Sequence, residues 1–342
     1  MPWDEIKGQE SSVSFLRAAL ERGRPHHAYL FAGPKGIGKE LLARLFAQAA
    51  NCEAAGEGRP CGACAACSAI RRGVHPDVTW VLPQAEAIAR GLLTRGDLDA
   101  APSREIRVDE VRALSRRLSL APAVGRRKLA IVTPAEALNE RAQNTLLKTL
   151  EEPASVTTFV LVSSAPDSLL ATVRSRCLRV QLTPLRAGTI EALLVERGVP
   201  APEAKKRAAR SGGSLGRALG LDAGELERRE ELVRALEGAA SAPDERRALD
   251  LAEAHGEREA AQELAAIAQQ WTRDLLVFQA GGAIDGDDLG ELAQEVASRS
   301  PPRRLLEQAA ACADALEALD QNGNGRLQLE RLFLRMREIR SG

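Results

Sequence analysis

The segment Gly33-Pro34-Lys35-Gly36-Ile37-Gly38-Lys39 constrains the fold of this chain more than any other. It matches G-x4-G-K and follows a short apolar run, His27-Ala28-Tyr29-Leu30-Phe31-Ala32. Beyond it, Leu41, Leu42, Leu45 and Phe46 recur at helical spacing. A strand that turns through such glycines into a helix makes a phosphate loop, in which backbone N–H groups and the lysine ammonium face one anion. Further apolar runs at 77–82, 128–132 and 158–162 predict strands buried on both faces. Helical periodicity over 12–22, from Ile106 to Leu120, and from Asn139 to Glu152 before Pro153 alternates with them. The fold class that follows is α/β, a parallel sheet flanked by helices. The stretch 83–104 is polar and predicts a loop. Residues 184–222 predict a small helical unit, and helices alone follow from Ala223 onward. The expected domains are therefore 1–182, 183–222 and 223–342.

The phosphate loop departs from a hydrolytic site in two places. Glu40 stands where Ser or Thr belongs, so no hydroxyl is available for Mg²⁺, and its carboxylate is expected to repel phosphates. The strand at 128–132 runs into Thr133-Pro134 and not into an acidic pair, and Glu136 lies beyond the strand end. Hydrolysis by this chain is not expected. Two readings of Gly33, Gly36, Gly38 and Lys39 stay open: a nucleotide held without hydrolysis, or an empty loop.

Four of the six cysteines, Cys52, Cys61, Cys64 and Cys67, form a C-x8-C-x2-C-x2-C cluster. Four thiolates at this spacing suit tetrahedral Zn²⁺, with small residues between them (Gly62, Ala63, Ala65 and Ala66) allowing tight turns. A site closed by four thiolates leaves no position for substrate, so the zinc expected here is structural. The rival reading is free or redox-active thiols. Near the C-terminus, Asp320-Gln321-Asn322-Gly323-Asn324-Gly325 opens like a calcium loop. Arg331 stands where that loop needs a bidentate Glu, so the segment reads as a turn between two helices and not as a metal site.

Charge is divided along the chain. Residues 223–342 carry 24 acidic and 15 basic side chains, and residues 1–222 carry 23 acidic and 32 basic. The front part is suited to attract phosphates. Only 10 of the 342 residues are aromatic, which points to contacts with nucleic-acid backbone and away from base stacking. The chain has no apolar run of membrane-spanning length, and its first residues lack the pattern of a secretory signal, so a cytoplasmic protein is expected.

Several motifs carry a family likeness. Trp3-x2-Ile6-x-Gly8-Gln9, His27-Ala28-Tyr29-Leu30-Phe31, the four-cysteine insertion, His75-Pro76-Asp77, Leu146-Leu147-Lys148-Thr149-Leu150-Glu151-Glu152-Pro153 and Ser175-Arg176-Cys177 resemble bacterial clamp-loader subunits of the AAA+ family. The resemblance covers about residues 1–180. It implies an AAA+ α/β domain, a helical lid and an all-α collar that joins a five-subunit ring. The altered phosphate loop, the length of 342 residues and the lack of a long C-terminal extension resemble the non-hydrolysing δ′ type of subunit in the DNA polymerase III holoenzyme, not the ATP-hydrolysing γ/τ type.

That resemblance implies an arginine finger at Arg176, reaching in trans to ATP on a neighbouring subunit. The rival reading is an arginine paired with a carboxylate at a helix end. It also places Arg217 where the family carries a second nucleotide sensor, and Ser163 and Ser164 where it carries the first; Arg217 reads equally as a lid-surface arginine. Ser175 is expected to cap the turn and Cys177 to pack. The implied partners are δ and γ/τ subunits, a sliding clamp through the complex, and primed DNA through backbone contacts, with no membrane and no polymerase activity of its own. Two rivals remain: an ATP-hydrolysing clamp-loader subunit or stand-alone AAA+ ATPase, and a zinc-dependent DNA-binding module. Against the last, no Lys or Arg lies between Cys61 and Cys67.

Overall fold

The computed structural model describes residues 2–341 apart from 55, 57, 99–100, 154–155, 222, 283–286 and 322. The chain forms two compact units, Met1–Ile190 with Ser211–Arg217, and Glu191–Arg210 with Ala218–Gly342.

The first unit is built on five parallel strands: β1 (Ala28–Ala32), β2 (Val78–Val81), β3 (Lys128–Val132), β4 (Thr157–Ser163) and β5 (Leu178–Gln181), in the order β2-β3-β4-β1-β5. Its helices are α1 (Glu10–Glu21), α2 (Lys39–Asn51), α3 (Ala65–Arg71), α4 (Gln84–Ala89), α5 (Val108–Leu118), α6 (Glu140–Glu151) and α7 (Ala171–Arg174). Because strand side chains alternate between faces, the apolar runs split into two cores. Tyr29, Phe31, Leu129, Ile131, Val160 and Val162 pack with Leu16 of α1 and Leu42, Leu45 and Phe46 of α2. Leu30, Ala130, Val132, Phe159 and Leu161 pack with Val111 and Leu114 of α5 and Leu146 and Leu150 of α6. Burial on both faces is why these strands read as continuous apolar runs.

Two sequence expectations are corrected. The stretch 83–104 is not all loop: it contains α4 and a short 3-10 turn at Arg95–Asp97, while residues 99–100 lie outside the described ones. The fifth strand lies outside the sequence expectations. Leu178-Arg179-Val180-Gln181 is an edge strand with only Val180 buried, so it lacks the apolar run that betrayed the others.

His75-Pro76-Asp77 has a structural role. The buried Asp77 carboxylate accepts the N–H groups of Ala123 (2.7 Å), Val124 (2.9 Å) and Gly125 (2.6 Å), and its own N–H donates to His75 Nδ1 (3.1 Å). Asn51 secures the next residues, accepting from the N–H groups of Arg126 and Arg127 (2.9 Å each). Burial works against the Asp77 charge, but the three N–H groups hold the carboxyl below its ordinary value. Its stabilising contribution is therefore complete above the unfolded pKa of about 3.9 and is lost as pH falls through the lower folded value. Asp77→Ala is expected to destabilise the protein by about 3 kcal/mol in urea titrations at neutral pH, because three donors lose a charged acceptor. The difference from wild type should shrink below about pH 4.

Helices α8 (Ala187–Glu196), α9 (Ala201–Arg210) and α10 (Leu215–Gly220) follow, and then α11 (Ala223–Ser241), α12 (Arg246–Ala254), α13 (Arg258–Gln279), α14 (Asp287–Arg299), α15 (Pro302–Asp320) and α16 (Gly325–Ser341). Among the described residues no strand occurs after Gln181. Leu264, Ala268, Cys312, Leu319, Leu329 and Phe333 form one core of the second unit, and Trp271, Leu275, Leu289 and Leu305 form another. Within it, the buried Glu237 carboxylate accepts from the Trp271 indole N–H (2.6 Å) and from the Nη1 and Nη2 groups of Arg340 (2.5 and 2.8 Å). At the expected 320–325 turn, Asn324 Oδ1 accepts the Leu327 N–H (3.0 Å) as α16 begins; Asn322 lies outside the described residues. Asp222, the end of the expected lid, also lies outside them.

Candidate functional sites: phosphate loop, arginine turn and cysteine cluster

Gly33, Gly36 and Gly38 all take positive φ (151°, 78° and 97°), turning β1 into α2. A Cβ on Gly36 would lie 2.3 Å from Ser214 Oγ, and the Gly216 N–H donates to the Gly36 carbonyl (3.0 Å). Lys39 folds back on the loop, its ammonium donating to the carbonyls of Gly33 and Pro34 (2.7 Å each). Burial lowers its pKa, opposed by the charges of Glu136 and Glu40.

Two expectations about this site need correction. Glu40 is not a free carboxylate facing phosphates: Arg90 donates to both its oxygens (3.0 and 2.9 Å), and the Thr133 hydroxyl to Oε1 (2.7 Å). Burial opposes the Glu40 charge, but these donors hold its carboxyl below the usual range. Nor is Glu136 remote. It lines the same cavity of about 560 Å³ as Lys39, Glu40, Arg90 and Thr133. Its Oε1 accepts from the Ser164 N–H (3.1 Å) and hydroxyl (2.8 Å), and its Oε2 is buried without a hydrogen-bond partner. Arg90 lies in the polar stretch 83–104, where composition alone predicts loop; its spacing of four from Glu86, with which it pairs, is the signal in the sequence that marks it. Ser163 is buried, its hydroxyl accepting the Ala165 N–H (3.1 Å). Arg217 contributes its backbone N–H to Ser214 Oγ (3.1 Å), while its side chain is exposed and does not line the cavity.

Arg176 sits in the turn after α7 and is not part of the phosphate-loop cavity. Its guanidinium pairs with Glu151 at the end of α6 (2.6 Å) and donates to the Thr172 carbonyl (3.0 Å). The Phe159 N–H donates to the His27 carbonyl (2.8 Å), so His27 leads directly into β1 beside β4. Ser175 is the C-terminal cap residue of α7, its hydroxyl donating to the Thr172 carbonyl (3.1 Å). Cys177 packs in the α5–α6 core, where burial pushes its thiol up to about 12.

Cys52 ends α2, Cys64 caps α3, and Cys67 lies in the first turn of α3. The four sulfurs lie within 4.8 Å of one another, the one cluster of metal-donor side chains among the described residues. Backbone N–H groups point at them: Cys61 to Cys52 Sγ (3.4 Å), Cys64 to Cys61 Sγ (3.3 Å) and Cys67 to Cys64 Sγ (3.4 Å). N–H groups from Cys64 and Ala63 lower the Cys61 thiol to about 6, whereas burial raises Cys52 and Cys67. The donor set fits a metal ion: four sulfurs converge within 4.8 Å, three of them accepting backbone N–H groups, and a bound cation would offset the burial that disfavours the Cys52 and Cys67 thiolates. Residues 55 and 57 of the insertion lie outside the described ones.

A five-stranded parallel sheet with a phosphate loop after β1, followed by an all-helical region, is an AAA+-type module. The model for "DNA polymerase III, delta subunit" matches residues 8–186, and that for "DNA polymerase III, delta subunit, C terminal" matches residues 223–338. The chain belongs to this clamp-loader subunit family. It is 37% identical over 196 residues to DNA polymerase III subunit delta′ of Pseudomonas aeruginosa, covering 56% of this chain and 55% of that protein. It is 36% identical over 181 residues to subunit tau of Salmonella typhimurium, covering 53% of this chain and 25% of the relative. The matches thus span about a quarter of the tau relative's length and about half of the delta′ relative's. Among solved structures, a gamma subunit-related protein of Thermotoga maritima aligns over 96% of this chain and 99% of its own, at 18% identity and a TM-score of 0.44. No helix among the described residues is long and apolar enough to cross a membrane.

Proposed function

We propose that this chain is a non-hydrolysing, δ′-type subunit of a cytoplasmic clamp loader. It stands in a ring with δ and γ/τ subunits, presents Arg176 to ATP on a neighbour, and supports loading of a sliding clamp onto primed DNA, with DNA touched through its backbone. The division into an α/β domain over 1–182, a lid over 183–222 and a collar over 223–342 belongs to the same reading. The observation that carries it is the contrast between two sites. The chain's own loop offers a carboxylate tied to Arg90 where a metal-binding hydroxyl is needed, whereas Arg176 lies apart from that loop, half-exposed and held by one carboxylate. Phosphoryl transfer spreads charge over the equatorial oxygens, and a guanidinium from the adjacent subunit meets that charge in a planar fork. To do so, Arg176 must exchange Glu151 for phosphate. Cys52, Cys61, Cys64 and Cys67 hold a structural Zn²⁺ in this reading, which fixes the 52–67 insertion to the ends of α2 and α3.

Glu136 beside Lys39 is the observation that favours the rival, an ATP-hydrolysing subunit. ATPase measurements on the isolated chain separate the two. The expected result is turnover at background, unchanged by Lys39→Ala, together with co-elution of the chain with cognate δ and γ/τ subunits. Turnover abolished by Lys39→Ala would establish the rival instead. Failure to co-elute would remove the ring assignment.

A further inference from the structure

Strand β2 is an edge of the sheet and borders a second cavity, of about 660 Å³. The Leu129 N–H donates to the Asp77 carbonyl (2.8 Å) and the Thr133 N–H to the Val81 carbonyl (3.0 Å). With a period of two, residues 77, 79 and 81 therefore face β3, and the Trp80 backbone faces away from it. Among the described residues, the Trp80 N–H and C=O have no hydrogen-bond partner. An unpaired edge of this kind is a template for another extended chain.

The surroundings are apolar at the centre and cationic at the rim. Trp80 is half-buried, and Val74 and Leu92 are 64% and 53% exposed in the same cavity. Arg44, Arg72 and Arg117 also line it. The Arg72 and Arg117 guanidinium groups have neither an ion pair nor a hydrogen bond among the described residues. Among the described residues, Arg44 pairs with Glu5 at 4.0 Å. Among the described residues of the lining, the one carboxylate, Glu40, is held by Arg90. The two unpaired cations, Arg72 and Arg117, with the weakly paired Arg44 around exposed apolar side chains, favour a ligand with alternating negative and apolar groups.

We propose that the β2 edge is a docking site for an extended, acidic segment of a partner protein. The segment adds to the sheet through the Trp80 backbone, sets an apolar side chain against Trp80, Val74 and Leu92, and places carboxylates on Arg44, Arg72 and Arg117. Charge alone would equally suit a nucleic-acid backbone. The strand edge decides against it: Trp80 offers a carbonyl as well as an N–H, and phosphate oxygens only accept. This inference is independent of the role proposed for Arg176.

The test uses the full-length chain and a fluorescently labelled peptide of alternating Asp and Val, read by anisotropy. Controls are the same peptide with Asn for Asp, the same peptide N-methylated at alternate residues, and an oligothymidylate of matched charge. The acidic peptide is expected to bind, and to weaken at least about tenfold with Arg72→Ala/Arg117→Ala or with Asn for Asp. N-methylation, which removes the ladder donors, is expected to abolish binding. Both arginines are exposed, so the double variant should keep the wild-type melting temperature. Undiminished binding of the N-methylated peptide would reduce the surface to a charge adsorber. Tighter binding of oligothymidylate, in competition with the peptide, would assign it to nucleic acid. No peptide binding, or binding indifferent to the two arginines, would overturn the proposal.

Discussion

Arg176→Ala is expected to lower the DNA-stimulated ATPase of a complex reconstituted with cognate γ/τ and δ subunits by at least about tenfold, at equal assembly. A finger supplied in trans is worth ~10³–10⁵ at the one site it serves, but the measured loss is diluted by turnover at other sites in the ring. Arg176→Lys should recover little, since an ammonium carries the charge without the planar pair of donors. The wild-type contacts make the variant interpretable. Arg176 is half-exposed and paired only at the surface with Glu151, so its loss should cost the isolated chain less than about 1 kcal/mol. A complex that assembles normally and turns over as wild type would make Arg176 the helix-end ion pair of the rival reading. The protein would then be a scaffold.

Zinc analysis of the full-length chain is expected to find about one equivalent per molecule, lost in Cys61→Ser or after prolonged chelation. Loss of the ion should remove ~4 kcal/mol or more, roughly 10 °C in Tm for a unit of this size. The reason lies in where the ligands sit. Cys52 closes α2, the helix that begins at the phosphate loop, and Cys67 is anchored through its carbonyl to Gln48 of the same helix (2.8 Å). The insertion also receives Trp3, whose indole N–H donates to the Arg59 carbonyl (2.8 Å). Unclamping the sulfurs therefore loosens α2 at its C-terminal end as well as the insertion. Zinc-free protein from zinc-replete cells, melting identically with and without chelator, would return the cluster to free thiols.

The readable part of the site was that made by local chemistry. Positive-φ glycines in a row announce a phosphate loop, and C-x2-C steps announce converging sulfurs, because both geometries are set within a few residues. The misread part depended on partners distant in sequence. Glu40 looked repulsive because its neutralising partner Arg90 is 50 residues away, and Glu136 looked misplaced until the chain path returned it to the Lys39 cavity.

Strands β1, β3 and β4 follow from sequence alone, since burial on both faces demands uninterrupted apolar residues and leaves that record in the chain. The exposed edge β5 leaves no such record; pairing with β1 makes it a strand. The same holds for side chains. Sequence determined that this chain carries a phosphate loop without a metal-binding hydroxyl, four clustered thiols and an arginine in a recognisable turn. Only the tertiary structure decided that Arg90 neutralises Glu40, that Glu151 holds Arg176, and that Trp80 borders an open sheet edge. Hydrogen bonds and ion pairs act over about 3 Å in space, and separation along the chain does not specify which groups will meet at that range.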